Sequence, residues 1–362
     1  MAPIPGQPIP TPRAEDEKIA ATIKVPPGFK VSVWMDGVPQ AREIAWGDKG
    51  TLFSGSDVSG VITAIYEENG KRVAKPVIKG FKHDTGVAFM NHTLYVADPD
   101  KIYAWENPED HLGDLSLANA KVVYDDFPAY QPHNWKALIP DYKAGVLYVN
   151  VGPPCSECIP PPDSAQLRKI YPATGWGELV AIGVRQVVGG VVDPRTGKLW
   201  FGENGRDWMG DDIPSDKLNL LSKTGMDYGY PFCHQGNLLD PVYGKGHSCK
   251  EFTPPVINLG AHVVPLGMIF YQGKQFPAEY KWNLFIAETG SWNRHVKVGY
   301  RVERVMVNQD GTNAKQEPFA CCWNDGDKVN GRPTDVIEAP DGSILVADDQ
   351  SSTIWQISYV GK

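Results

Sequence analysis

The chain has 362 residues and a formal net charge of −8, with 37 glycines and 31 prolines scattered along its length. The acidic balance argues against nucleic acid as the main partner, since phosphate recognition needs a basic surface. No apolar run approaches membrane-spanning length, and the lack of sustained 3.6-residue periodicity argues against an α-rich fold.

In chain order, residues 1–24 are Pro-rich and then charged, and read as an extended N-terminal lead-in. The start Met-Ala-Pro-Ile-Pro resembles a mature N-terminus with an added Met, as a processed export signal would leave. Phe29 to Trp34 alternates in the manner of a strand and precedes the first full repeat, so it is expected to complete the last blade of a ring. Residues 25–362 then read as one domain.

A short strand pattern recurs six times in that domain. An apolar residue, often followed by an aromatic, leads through small or apolar residues, usually to an acid. The copies begin at Leu52, Leu94, Leu147, Leu199, Leu284 and Leu345, with spacings of 42, 53, 52, 85 and 61 residues. A repeat of roughly 40 to 45 residues with strand–turn–strand content marks a β-propeller. The sequence therefore predicts an all-β, six-bladed β-propeller with loop insertions around a central channel, six being favoured over five or seven. The largest insertion, about 204–262, holds Cys233, Cys249, several His and many Gly. Insertions on a rigid scaffold are where binding and chemistry concentrate.

The chain has six cysteines. Cys155 and Cys158 form a Cys-x-x-Cys, but no βαβ context supports a thioredoxin-like site and no second ligand pair supports zinc. Structural disulfides 155–158 and 233–249 are expected instead, in an oxidising compartment, periplasmic or secreted. The adjacent Cys321 and Cys322 receive no assignment from the sequence.

Several segments carry candidate chemistry. His133, in Pro-His-Asn-Trp-Lys before the third repeat, has a side chain suited to general-base work near neutral pH. Arg185 with Gln186 suits a planar anionic ligand held through forked hydrogen bonds. The stretch Gly202 to Asp212 offers acids, Asn and flexible glycines, oxygen ligands of the kind Ca²⁺ takes. His262 follows Leu-Gly-Ala, Asn293 and Arg294 follow the fifth repeat, and Arg332 precedes the sixth. Any one Arg is ordinarily a salt-bridge partner. Three at comparable places in different blades point to a polyanionic ligand bearing carboxylates. No nicotinamide-binding, Walker, His-Glu-x-x-His or Gly-x-Ser-x-Gly pattern is present.

In this order, the segments resemble the soluble glucose/sorbosone dehydrogenase family, especially its sorbosone dehydrogenase-like and aldose sugar dehydrogenase branches. The matching stretches are His-x-Trp-Lys, Gly-Pro-Pro-Cys-Ser-Glu-Cys, Val184-Arg185-Gln186, Asp216-Lys217-Leu218-Asn219, Gly290-Ser291-Trp292-Asn293-Arg294 and Gly331-Arg332-Pro333, spread over roughly 40–360. The resemblance implies a six-bladed quinoprotein propeller that binds pyrroloquinoline quinone (PQQ) and Ca²⁺ in the channel. It implies oxidation of a sugar or other secondary alcohol to the carbonyl or lactone. Electrons then pass to a soluble acceptor such as a cytochrome or quinone.

By that resemblance, His133 is the base and Arg185 the residue at the quinone oxygens. Gln186, Asn293, Arg294, Arg332 and Thr334 contact the cofactor, and His262 lines the pocket. Gly205 and Arg206 offer backbone carbonyls to Ca²⁺. The sequence departs from the family at Gln186, where Asn is common, and at Thr334, where glucose dehydrogenases have a second Arg. Lys217 replaces a usual Glu, and Glu288-Thr289 stand where sorbosone-type sequences often have His. Trp208, Met209 and Trp292 suit a bulkier, less polar alcohol. The alternatives are a Ca²⁺-dependent lactonase-type propeller hydrolase and a non-catalytic binding propeller.

Overall fold

The computed structural model describes residues 7–8, 13–82, 86–128, 130 and 132–361. Six sheets of four or five strands, antiparallel except where Trp176–Ile182 pairs parallel with Met226–Asp227, are arranged around an axis as a β-propeller. The inner strands are Ala41–Trp46, Gly86–Met90, Ile139–Asp141, Gly190–Val192, Pro265–Phe270 and Pro333–Glu338. Each recurring sequence segment forms the second strand of its blade: Leu52–Ser56, Thr93–Asp98, Val146–Val151, Leu199–Glu203, Leu284–Glu288 and Ile344–Asp348.

These second strands are buried along their whole length. A mid-blade strand packs against a neighbouring blade on either face. That is why the sequence reads as a continuous apolar run there rather than an alternating one. The core is accordingly six clusters, one between each pair of adjacent blades. Phe53 and Phe89 stack between blades 1 and 2, while Phe285 and Trp355 share the cluster between blades 5 and 6.

The ring closes as the sequence predicts. Phe29–Met35 pairs antiparallel with Thr353–Tyr359 and becomes the outer strand of blade 6. The N-terminal lead-in is different from the expectation where it is described. Ala14–Thr22 is an α-helix, not extended chain, with Glu15, Asp16 and Glu17 in its first turn. Acids there complement the helix dipole, and alanines carry no propensity cost. Ala20 and Ile23 join the cluster between blades 5 and 6, and Lys24 bridges to Cys321.

Chain direction decides where function can sit. Loops leaving a second strand and loops entering an inner strand emerge at the same end of the ring. All the candidate site residues lie in such loops or at the strand ends that flank them. At the opposite end, the inner strands surround a cavity of about 500 Å³ walled by Ala45, Leu138, Val191 and Ile269 and floored near Tyr142 and Glu338. Two half-buried carboxyls, Glu43 and Asp335, face this channel. Burial pushes both up, Asp335 to about 7.

Candidate active site at the loop end of the channel

The acids that end the second strands position the site. Asp98 accepts the Lys82 backbone N–H at 2.9 Å, Glu203 accepts that of Arg185 at 3.2 Å, and Asp348 accepts that of Arg332 at 2.9 Å. Each catches the loop entering its own blade. Asn150 does the same for the outgoing loop, accepting from Val187 N at 3.0 Å. In blades 2, 4 and 6 the recurring acid is thus a backbone anchor, while Glu288 of blade 5 pairs with Arg301 instead. In blades 4 and 6 it fixes two of the arginines the sequence singles out, Arg185 and Arg332.

His133 and Gln186 come together around Gly152, and the Arg185 charge is close to His133. A Cβ built on Gly152 would stand 2.6 Å from His133 Cβ and also against Gln186 Oε1, so only glycine allows this approach. His133 Nδ1 lies 2.9 Å from the Pro153 carbonyl. A carbonyl can only accept, so Nδ1 carries the proton and Nε2 is the acceptor nitrogen. Nε2 has no protein partner among the described residues. Burial, then the nearby Arg185 charge, lower the imidazole to about 4, so it is neutral at pH 7.

The Arg185 side chain is buried and fully engaged. Nη2 donates to Asp207 at 2.7 Å and to Ser156 Oγ at 2.8 Å, and Nη1 donates to the Gly205 carbonyl at 2.6 Å. Gln186 is 2% exposed, yet among the described residues neither its Oε1 nor its Nε2 has a hydrogen-bond partner. An orphaned amide at such burial costs about 1–3 kcal/mol unless a ligand satisfies it.

The other expected residues divide. Arg332 makes two 2.7 Å contacts to Asp349, which also pairs with Arg42 at 2.9 Å. Asp57 approaches both arginines, and Arg42 lies over Trp135 at 4.7 Å. Arg332 therefore belongs to a network that includes Asp349, Asp57 and Arg42 and spans blades 6 and 1. Arg206 is held by Asp240 and Glu157 and ties down the inserted loop. Arg294 donates to the Asp211 carbonyl and sits 3.0 Å from Asp212, joining two rim loops.

His262 Nε2 donates to the Gly210 carbonyl at 2.8 Å. The Thr334 hydroxyl is 1% exposed and lies within 3.1 Å of the carbonyls of Ala41, Arg42 and Ala347, so it is spent on the scaffold. Asn293 is half-buried beside Trp292 in the rim loop of blade 5. Trp292 and Trp208 are 63% and 62% exposed and meet edge to face at 5.5 Å.

Sequence reasoning missed Arg42, Asp57, Asp207 and Asp349 as partners of the arginines. The doubled acid at 348–349 was the one available signal. Both expected disulfides are present, Cys155–Cys158 beside Arg185 and Cys233–Cys249 in the insertion. Among the described residues, no three His, Cys, Asp or Glu side chains group to hold a metal, and no helix is long and apolar enough to cross a membrane.

The model of the glucose/sorbosone dehydrogenase family matches residues 172–356, just over half the chain. This chain belongs to that family. A TrAA12-like model also matches residues 23–240. An uncharacterized protein of Borreliella burgdorferi is 33% identical over 355 residues, 95% of this chain and 92% of its own.

Among solved structures, a Trichoderma reesei carbohydrate-active enzyme of family AA12 superposes with a TM-score of 0.80 at 19% identity, covering 93% of this chain and 97% of that one. The holo PQQ domain of pyranose dehydrogenase from Coprinopsis cinerea gives 0.73 at 19%, with the same coverage. The PQQ-bound aldose sugar dehydrogenase of Streptomyces coelicolor gives 0.65 at 17%, covering 92% and 99%. At these identities the structures speak for the fold alone.

Proposed function

We propose that the protein is a PQQ-using dehydrogenase that oxidises a sugar or other secondary alcohol to the carbonyl or lactone, with reoxidation by a soluble acceptor such as a cytochrome or quinone. The observation that carries this reading is the orientation of His133. Its Nδ1–H is committed to Pro153, its Nε2 is open, and it stands across Gly152 from an unsatisfied buried amide.

That donor set fits a planar, carboxylated quinone. Gln186 offers a buried N–H donor without a partner, and Arg185 supplies positive charge beside it. Bound there, PQQ would supply an ortho-quinone able to take two electrons from the substrate carbon. His133 takes the hydroxyl proton at Nε2, and the bond to Pro153 holds the ring and its tautomer fixed while it does so. Arg185 stabilises negative charge developing nearby, and the Asp207 contact keeps its fork in one orientation. The exposed Trp208–Trp292 pair forms an apolar rim for the substrate body.

Ca²⁺ fits less well. Arg185 already donates into the Gly205 carbonyl, so a metal there would have to displace a guanidinium. The residues as they stand do not form its site, and no step is assigned to it. The two disulfides support a periplasmic or secreted location.

The test is reconstitution of purified protein with PQQ, with and without Ca²⁺, followed by dye reduction over a panel of sugars and secondary alcohols. Activity in the wild type and its loss in His133→Ala are expected. No change in quinone absorbance on mixing, together with no dye reduction, would overturn the proposal. Lactone hydrolysis without added PQQ would point to the hydrolase instead.

A further inference from the structure

Cys321 and Cys322 end the outer strand of blade 5, in Lys315–Cys321 and the residue after it. Their Sγ atoms are 2.8 Å apart. That is closer than even two non-bonded carbons pack, at about 3.5–4.0 Å, and sulfur is the larger atom. Cys322 has φ +82°, left-handed backbone that a side chain rarely adopts without a constraint. Cys321 is pinned on its other side, exchanging two 3.0 Å backbone hydrogen bonds with Lys24. Both cysteines are half-buried, within reach of a small oxidant but outside the sealed core.

We propose that Cys321 and Cys322 are a redox site, closing to a vicinal disulfide that is more readily reduced than Cys233–Cys249. The oxidant is a low-molecular-weight disulfide. One cysteine sulfur attacks it, releasing one small thiol and leaving a mixed disulfide. The second cysteine sulfur then displaces the other small thiol and closes the ring; over the two steps both cysteine protons and two electrons end on the two small thiols. Burial and the adjacent Cys322 raise the Cys321 thiol to about 11, so Cys321 keeps its proton at neutral pH until the exchange begins.

The ease of reduction follows from adjacency. Neighbouring residues hold their Cα atoms about 3.8 Å apart, less than the roughly 4.4–6.8 Å an unstrained disulfide prefers. A strained bond is the more easily opened one. The site also sits at the base of a functional loop. Trp323, fully buried, follows the pair, and its carbonyl accepts from Asn330 N at 2.8 Å and Gly331 N at 3.0 Å. The short hairpin Asn324–Asp325 with Lys328–Val329 hangs from this clasp and leads directly to Arg332.

The test needs no activity. The native protein is equilibrated with oxidised glutathione, alkylated in denaturant without reductant, and digested with trypsin. The peptide 316–328 contains these two cysteines and no other. It is expected two hydrogens lighter than the dithiol and without an alkyl group. Under graded reductant it should acquire alkyl groups before Cys233 or Cys249 does. A doubly alkylated peptide after oxidation, or a stable glutathione adduct, would overturn closure. Opening together with or after Cys233–Cys249 would overturn the claim of reducibility.

Discussion

Replacing Arg185 with Met is expected to move the titration of His133 upward. The imidazole lies at about 4 because it is buried and because Arg185 is nearby, while Asp207 pulls the other way. Arg185→Met removes the second cause, leaves burial in place, and frees Asp207 from its 2.7 Å partner. The new value should therefore fall between about 4 and the usual 6.5. The consequence is largest near pH 5. A histidine at about 4 is about nine-tenths neutral there, while one at 6.5 is about 3% neutral, so the loss of base is bounded at about thirtyfold.

The assay is the pH dependence of the imidazole ring signals by NMR on protein without cofactor, with His133 assigned by its absence in His133→Gln. The chain has eight histidines, which keeps the spectrum tractable. In the reconstituted enzyme, the acid limb of kcat/KM should shift in the same direction. Breaking a mostly buried pair costs about 3 kcal/mol, so thermal melting must first show that the variant is folded. A wild-type His133 titrating near 6.5, or one unmoved in Arg185→Met, would refute the electrostatic account.

Three further outcomes are expected. Lys136 is buried with one hydrogen bond, to the Asn134 carbonyl at 2.9 Å, and burial lowers it to about 7 from 10.5. Between those values the unfolded chain binds more protons than the folded one, so stability should rise with pH from 7 to 10.5. Lys136→Met should gain about 2 kcal/mol at pH 7 and flatten that slope in urea unfolding, and an unchanged slope would sink the idea. Gly152→Ala places a methyl group against His133 and Gln186, should cost about 1–3 kcal/mol, and should abolish quinone binding measured by absorbance; wild-type affinity would contradict the close packing. Removing Cys233–Cys249 by double Ser substitution releases a loop of sequence separation 16 and should cost about 3 kcal/mol in urea unfolding. No shift in midpoint would show that the insertion is held by other contacts.

The six-fold repeat was legible because each second strand is buried on both faces, which leaves a continuous apolar run such as Leu284 to Ala287. The acid after it was legible as a pattern but not as a device. In blades 2, 4 and 6 it catches a backbone N–H of an incoming loop, as Glu203 does for Arg185 eighteen residues earlier, whereas Glu288 pairs with Arg301. The helix Ala14–Thr22 was missed because it is held by tertiary burial of Ala20 and Ile23, whose neighbours come from blades 5 and 6. The positions of the arginines were legible. Their neutralisation was not, since Arg42 and Asp349 are separated by 307 residues.

By itself, the sequence determined the ring, its closure by Phe29–Met35 and the two disulfides. These follow from local pattern, because burial, turns and cysteine spacing leave their mark within a few residues. The tertiary structure alone decided which charges are spent on each other, which nitrogen of His133 is open, and that the Gln186 amide is buried without a partner. Those depend on atoms from different blades meeting at hydrogen-bond distance, and chain order carries no record of that.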